Sequence, residues 1–313
     1  MLTHLLLFSA GLLLLYFGSS WLVHGASDMA LSFSIRPAVL GLTVVAFATS
    51  APELMVSLVA AHNKSSGISV GNILGSNVIN IALVLGISAI AKPIAINARA
   101  IAMEIPFLVG VSIPFWILSL DGNISRGDGV ILTCVLALFL AYGIVTSRND
   151  NNGDIELTTL TGMRRACLVA MILAGLAGLS LGAKWVVDAA IFTARSFQFS
   201  ELFIGISVVA VGTSLPELAT SATAALRGQS DISVGNITGS NLFNICLVMG
   251  VVGMFTPISF DTGLNRFEFP FMVLLTLIFY YFAARHGRIG RRAGLVFLTG
   301  FFFYNGLTYY LAH

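Results

Sequence analysis

Two glutamates, Glu53 and Glu217, lie deep inside apolar stretches of this chain and share the same neighbours. Each closes a short run with two hydroxyls and a proline: Thr49, Ser50 and Pro52 before Glu53, and Thr213, Ser214 and Pro216 before Glu217. Residues three and four apart share one face of a helix, so each run aims two hydroxyls and a carboxylate the same way. Further on, Asn72, Ser76 and Asn80 recur at i, i+4 and i+8, as do Asn236, Ser240 and Asn244. Pro52 and Pro216 lack the N–H that would bond the carbonyls of Ala48 and Gly212, and backbone oxygens freed in a membrane need partners. The ligand inventory is carboxylate, hydroxyl, amide and carbonyl oxygen, with no Cys or His in either cluster. That excludes a zinc, copper or iron site and suits calcium, which accepts six to eight hard oxygens. Sodium is a hard ion of similar size; magnesium sheds its waters too reluctantly to fit as well.

The two clusters are copies. Residues 41–87 overlay 205–251 at an offset of 164, with 27 of 47 positions identical, and the register persists where MEIPF (103–107) meets FEFPF (267–271). A repeat kept only for packing retains small and apolar residues; this one retains carboxylates, hydroxyls and amides. Gly71 and Gly75, with Gly235 and Gly239, form GxxxG pairs, which bring helices close and set the Asn/Ser face near the glutamate-bearing helix.

Composition defines the medium. Of 313 residues, 57% are hydrophobic and 10% charged, with a formal net charge of +2 and a mean hydropathy of +0.93. Soluble domains carry about 25% charged residues, so a soluble enzyme, a disordered chain and a nucleic-acid binder are excluded. Cys134, Cys167 and Cys246 have neither disulfide nor metal spacing. Ten apolar runs are long enough to cross a bilayer as helices: 3–24, 37–61, 68–91, 103–120, 127–146, 165–189, 202–226, 231–255, 267–284 and 292–311. The first is read as a retained helix rather than a leader, because Leu5–Val45 aligns without gaps to Val169–Val209. Counting Lys and Arg in the connections gives eleven on one side and four on the other, which places both termini outside and the connection 147–163 in the cytoplasm. The expected fold is an all-α polytopic membrane protein: a five-helix repeat over 1–146, the short connection, and a second, inverted repeat over 164–313. Such inverted repeats bind substrate near the midplane and alternate access. A glutamate at that depth costs about 2.5–3.5 kcal/mol on the insertion scale given for aspartate, which marks it as functional.

Outside the clusters the readings are structural. Trp21 and Trp185 are interfacial anchors, and Arg285–Arg292 is a topology determinant. Asp188, Glu104 and Glu268 lie near span ends and are read as solvated; Asn77 and Asn241, one residue off the Ser/Asn face, as helix-packing groups.

The paired TSAPE (49–53) with GNILGSNVIN (71–80), and GTSLPE (212–217) with GNITGSNLFN (235–244), resemble the α-repeats of the cation/calcium antiporter superfamily, most closely its prokaryotic sodium/calcium exchangers. The resemblance implies an electrogenic secondary antiporter exchanging Na+ for Ca2+, not an enzyme, with no cofactor beyond the two ions carried as substrates. Its partners are those ions and the lipid bilayer of the cell membrane, with no nucleic acid and no obligate protein partner. It implies that Glu53 and Glu217 are shared ligands and that Thr49, Ser50, Thr213 and Ser214 complete the coordination with the carbonyls of Ala46 and Ala210. Ser76, Asn80, Ser240 and Asn244 would line flanking sodium sites, and the first and sixth helices would move as the gate. Three positions depart from the family pattern: Ala48 replaces a glycine that Gly212 keeps, Asn244 lies where some relatives have Asp, and Ser147–Gly162 is too short for a calcium-sensing domain. The alternatives are an H+/Ca2+ antiporter or a K+-dependent Na+/Ca2+ exchanger of the same superfamily. A channel fits a central site between internal repeats less well. A hydrolase lacks its base, since His4, His24, His62, His286 and His313 all fall at ends or connections.

Overall fold

The computed structural model describes residues 2–32, 36–63, 66–150, 162–196 and 210–311. These residues form helices α1 (Leu2–Ser32), α2 (Pro37–Thr49), α3 (Ala51–His62), α4 (Gly67–Ala91), α5 (Ala100–Leu118), α6 (Arg126–Asp150), α7 (Gly162–Ser196), α8 (Ala210–Thr213), α9 (Leu215–Leu226), α10 (Ser230–Phe255), α11 (Glu268–His286) and α12 (Arg291–Leu311).

Among the described residues, seven helices are long and apolar enough to cross a bilayer: α1, α4, α5, α6, α7, α10 and the helix ending at His286. The span expected at 37–61 is the bent pair α2 and α3, which meet at 43° around Ser50. Pro52 at the start of α3 explains the break, because its ring and missing N–H end the α2 ladder there. The run expected at 202–226 is described only from Ala210, and Arg291–Leu311 is helical over 21 residues but falls outside the seven. Both α1 and α7 run several residues past their expected ends. In α1 the polar residues there bond within the helix: His24 sits 3.8 Å from Asp28, and the Ser32 hydroxyl donates to the Met29 carbonyl.

Glycine sets a close helix contact between α1 and α7. A Cβ on Gly11 would meet the Gly182 carbonyl at 2.8 Å, and one on Gly18 would meet the Gly175 carbonyl at 2.8 Å. The backbones of α1 and α7 therefore touch, as small-residue seams allow in membranes. These two contacts exchange under the 164-residue offset. At the centre are α4 and α10, whose spans are 78% and 83% buried against 17–33% for α1, α5, α6 and α7. Two antiparallel ladders clip helix turns: β1 (Ile94–Ala95) pairs with β4 (Arg288–Ile289), and β2 (Asn123–Ile124) with β3 (Ile258–Ser259).

Glu104 corrects the reading from sequence. It is only 6% exposed, with Arg36 and Arg99 as its charge neighbours, so it is buried within the fold. Asp188 is exposed, as expected, and Glu268 is half-buried.

Candidate ion-binding site

Glu53 lies in the first turn of α3 and Glu217 in the first turn of α9, each three residues after a serine that interrupts the helix: Ser50 at φ −83°, ψ 2° and Ser214 at φ −90°, ψ 7°. Both glutamates are fully buried and near enough for their carboxylates to interact. The hydroxyls beside them come mainly from the opposite copy. Thr213 and Ser76 lie next to Glu53, and Thr49 next to Glu217.

Thr49 is held from three directions: its hydroxyl lies 3.3 Å from the Ala46 carbonyl, 3.2 Å from Asn236 Oδ1 and 3.3 Å from Ser240 Oγ. The Ala46 carbonyl also accepts from the Ser50 amide at 2.9 Å. Ala210 opens α8 at the equivalent position. One turn beyond Ser76 and Ser240, Asn80 donates to Asn241 Oδ1 at 3.3 Å and Asn244 donates to Asn77 Oδ1 at 3.4 Å. Asn77 and Asn241 are thus more than packing groups: they hold the amides of two expected ligands. Two more matched bonds brace the helices, Asn72 to Ser57 at 3.2 Å and Asn236 to Ser221 at 2.9 Å. The signal for these residues was in the sequence, since all eight are identical between the copies. Their bonding across the interface was not.

Packing brings the faces together. A Cβ on Gly235 would meet the Ala38 carbonyl at 2.6 Å, and one on Gly239 the Leu42 carbonyl at 2.6 Å, so α10 lies directly on α2. Residues 202–209, which align in sequence with that stretch of α2, lie outside the described residues. A Cβ on Gly212 would collide with Val187, so glycine is required there, whereas Ala48 is tolerated in the first copy. The helices widen to i→i+5 bonding at Gly41–Val45, Asn80–Leu85 and Phe243–Val248, at or next to expected ligands; such wide turns concentrate at functional sites.

The chemistry is set by what remains unbonded. All four carboxylate oxygens of Glu53 and Glu217 lack a hydrogen-bond partner, as do the hydroxyls of Ser50 and Ser214 and the amide oxygens of Asn80 and Asn244. More than nine in ten buried polar groups are normally bonded. Matched pairs of buried oxygens, none with a protein partner and with two carboxylates among them, have the composition of a hard-cation site. Among the described residues no group of three His, Cys, Asp or Glu offers an alternative.

The sequence profile of the family described as "Sodium/calcium exchanger protein" matches residues 3–145 and 167–310. The chain belongs to that family. The exchanger is 35% identical over 310 residues to the inner membrane protein YrbG of Escherichia coli, covering 96% of this chain and 95% of YrbG. It is 28% identical over 327 residues to the sodium/calcium exchanger MaX1 of Methanosarcina acetivorans, covering 92% and 93% of the two chains. Its fold matches the structure of the sodium-calcium exchanger NCX_Mj soaked with Na+ and Sr2+, with a TM-score of 0.84 and 32% identity over 96% of each chain. The exchanger is accordingly a multi-pass membrane protein of the prokaryotic cation/calcium exchanger type.

Proposed function

We propose that the protein exchanges Na+ for Ca2+ by alternating access, with Glu53 and Glu217 as a seat shared by both ions. The observation that carries this reading is the set of buried oxygens without protein partners, centred on two interacting carboxylates. Thr49, Ser50, Thr213 and Ser214, with the carbonyls of Ala46 and Ala210, complete the shell; Ser76, Asn80, Ser240 and Asn244 line flanking sodium sites. Both ions are cargo, and no resident cofactor is invoked. The names of MaX1 and NCX_Mj, which are sodium/calcium exchangers, support the choice of ions.

The architecture proposed is ten spans in two inverted five-helix repeats, 1–146 and 164–313, joined by a cytoplasmic connection, with both termini outside. The exchanging Gly11–Gly182 and Gly18–Gly175 contacts and the exchanging amide pairs support it.

Two ionised glutamates balance one Ca2+, whereas three Na+ on the same charges leave an excess of +1. Exchange is therefore electrogenic. A tenfold gradient supplies about 1.4 kcal/mol per ion and 100 mV about 2.3 kcal/mol per charge, so three Na+ entering with one net charge supply roughly 6.5 kcal/mol. That holds calcium more than a thousandfold lower inside. Coupling follows because two bare carboxylates cannot cross a dry barrier cheaply.

The test is radioactive calcium uptake into vesicles under an imposed sodium gradient, with pH clamped and potential varied. Uptake is expected to need sodium and to respond to potential. Uptake that follows a proton gradient without sodium overturns the choice of coupling ion, and potential-independent uptake overturns the 3:1 arithmetic.

A further inference from the structure

We propose that the turn between α11 and α12 is a binding site for the headgroup of an anionic phospholipid. The turn carries a cleft of about 440 Å³, lined by Pro93, Phe282, His286, Arg288, Arg291 and Arg292 among others. The three arginines and the histidine are exposed. Ion pairs among the described residues gather at Asp28, with His24 and Arg164, away from this turn. No Asp or Glu follows Glu268 in the sequence, so this end of the molecule holds positive charge with no carboxylate of its own nearby in the chain.

The cluster is rigidly presented. Arg288 is in the β4 strand and pairs in register with Ala95, the Gly287 carbonyl accepts from the Ile96 amide at 2.9 Å, and Arg291 Nε donates to the Ile90 carbonyl at 3.1 Å. Guanidinium groups match phosphate oxygens bidentately, and anchoring them in advance lowers the cost of ordering them on a ligand. Just inside α12, Leu295 and Val296 are exposed and offer acyl chains an apolar wall directly below the charges.

The molecule contains its own control. The equivalent turn between α6 and the helix before it has the same left-handed glycine, Gly122 at φ 74° against Gly287 at φ 61°, and the same ladder, β2 with β3. That turn is capped by carboxylates: Asp121 accepts from the Asn123 amide and Asp128 from the Ser125 amide. The turn geometry therefore does not require arginines; the sidedness of the chain accounts for positive charge at this end, and its gathering around one cleft above exposed Leu295 and Val296 is what fits an anionic lipid. An anionic lipid, held by phosphate above and hydrocarbon below, matches both parts of the site. Basic pockets between spanning helices recognise such headgroups.

The purified full chain in detergent is offered an equimolar mixture of phosphatidylglycerol and phosphatidylcholine, and bound lipid is read by native mass spectrometry. The wild type is expected to retain phosphatidylglycerol in preference. R288Q/R292Q is expected to lower that retention roughly thirtyfold, equivalent to about 1 kcal/mol per arginine. R164Q/R165Q, which removes the same charge at the start of α7, is expected to retain the lipid as wild type does, and R288K/R292K, which keeps the charge but loses the bidentate fork, to retain more than R288Q/R292Q and less than wild type. Equal retention of the two lipids by wild type overturns the proposal without any variant. Undiminished retention by folded R288Q/R292Q also overturns it. If inorganic phosphate binds as well as a short-chain phosphatidylglycerol, the ligand is a free anion and the lipid assignment fails. None of these outcomes depends on which cation the exchanger carries.

Discussion

The Asn80 side chain donates its amide to Asn241 at 3.3 Å, joining the centre of α4 to the centre of α10. The reverse bond, Asn244 to Asn77 at 3.4 Å, completes a reciprocal pair. Each donor keeps its amide oxygen free of protein partners. Asn77 and Asn241 thus fix which atom Asn80 and Asn244 would present to the proposed cation.

Removing those anchors is expected to weaken ion binding while leaving the fold in place. Partners behind a metal ligand are commonly worth tenfold or more in affinity. Asn77→Ala and Asn241→Ala should each raise the calcium concentration for half-maximal flux by at least about tenfold, with the maximal rate largely kept. A flux curve that superimposes on wild type would remove both residues from the site.

Neutralising either carboxylate should affect transport and stability in opposite directions. Glu53→Gln and Glu217→Gln are each expected to abolish sodium-driven calcium uptake. In chelator, however, both should melt higher than wild type, because an unpaired buried carboxylate costs several kcal/mol that a glutamine avoids. Calcium at a hundred times its dissociation constant should stabilise wild type by about 2.7 kcal/mol and the variants far less. Thermal unfolding with and without calcium reads this directly; equal calcium shifts in all three proteins would place the ion elsewhere.

The glycine at 212 should be irreplaceable for a steric reason. Gly212→Ala drives a methyl group into Val187, and overpacking of this kind costs about 1–3 kcal/mol. Val187→Ala should restore the loss in the double variant. Additive destabilisation in that cycle would show that the two positions do not meet.

The cluster of buried oxygen-bearing side chains was legible from one line of sequence because chemistry is carried by residue type, and the internal duplication supplied a second reading of residues 41–87 in 205–251. TSAPE and GTSLPE singled out Glu53 and Glu217, which prove fully buried; the bend at Ser50, two residues before Pro52, was not anticipated. What escaped was what depends on the partner helix. Glu104 looks like an end-of-span carboxylate until α5 is packed and it proves buried beside Arg36 and Arg99. Asn77 and Asn241 lie off the polar stripe of an ideal helix, and only the cross-pairing of α4 with α10 gives them a role. Helix ends at 32 and 196 were missed because polar residues there bond along their own helix.

The glycine contacts between α1 and α7 have a mechanical consequence. Two rods whose spines touch at Gly11–Gly182 and again at Gly18–Gly175 cannot hinge apart at either point without losing the other. A tilt imposed on one is therefore carried by its twin, and the pair moves as one body in any rearrangement of the bundle.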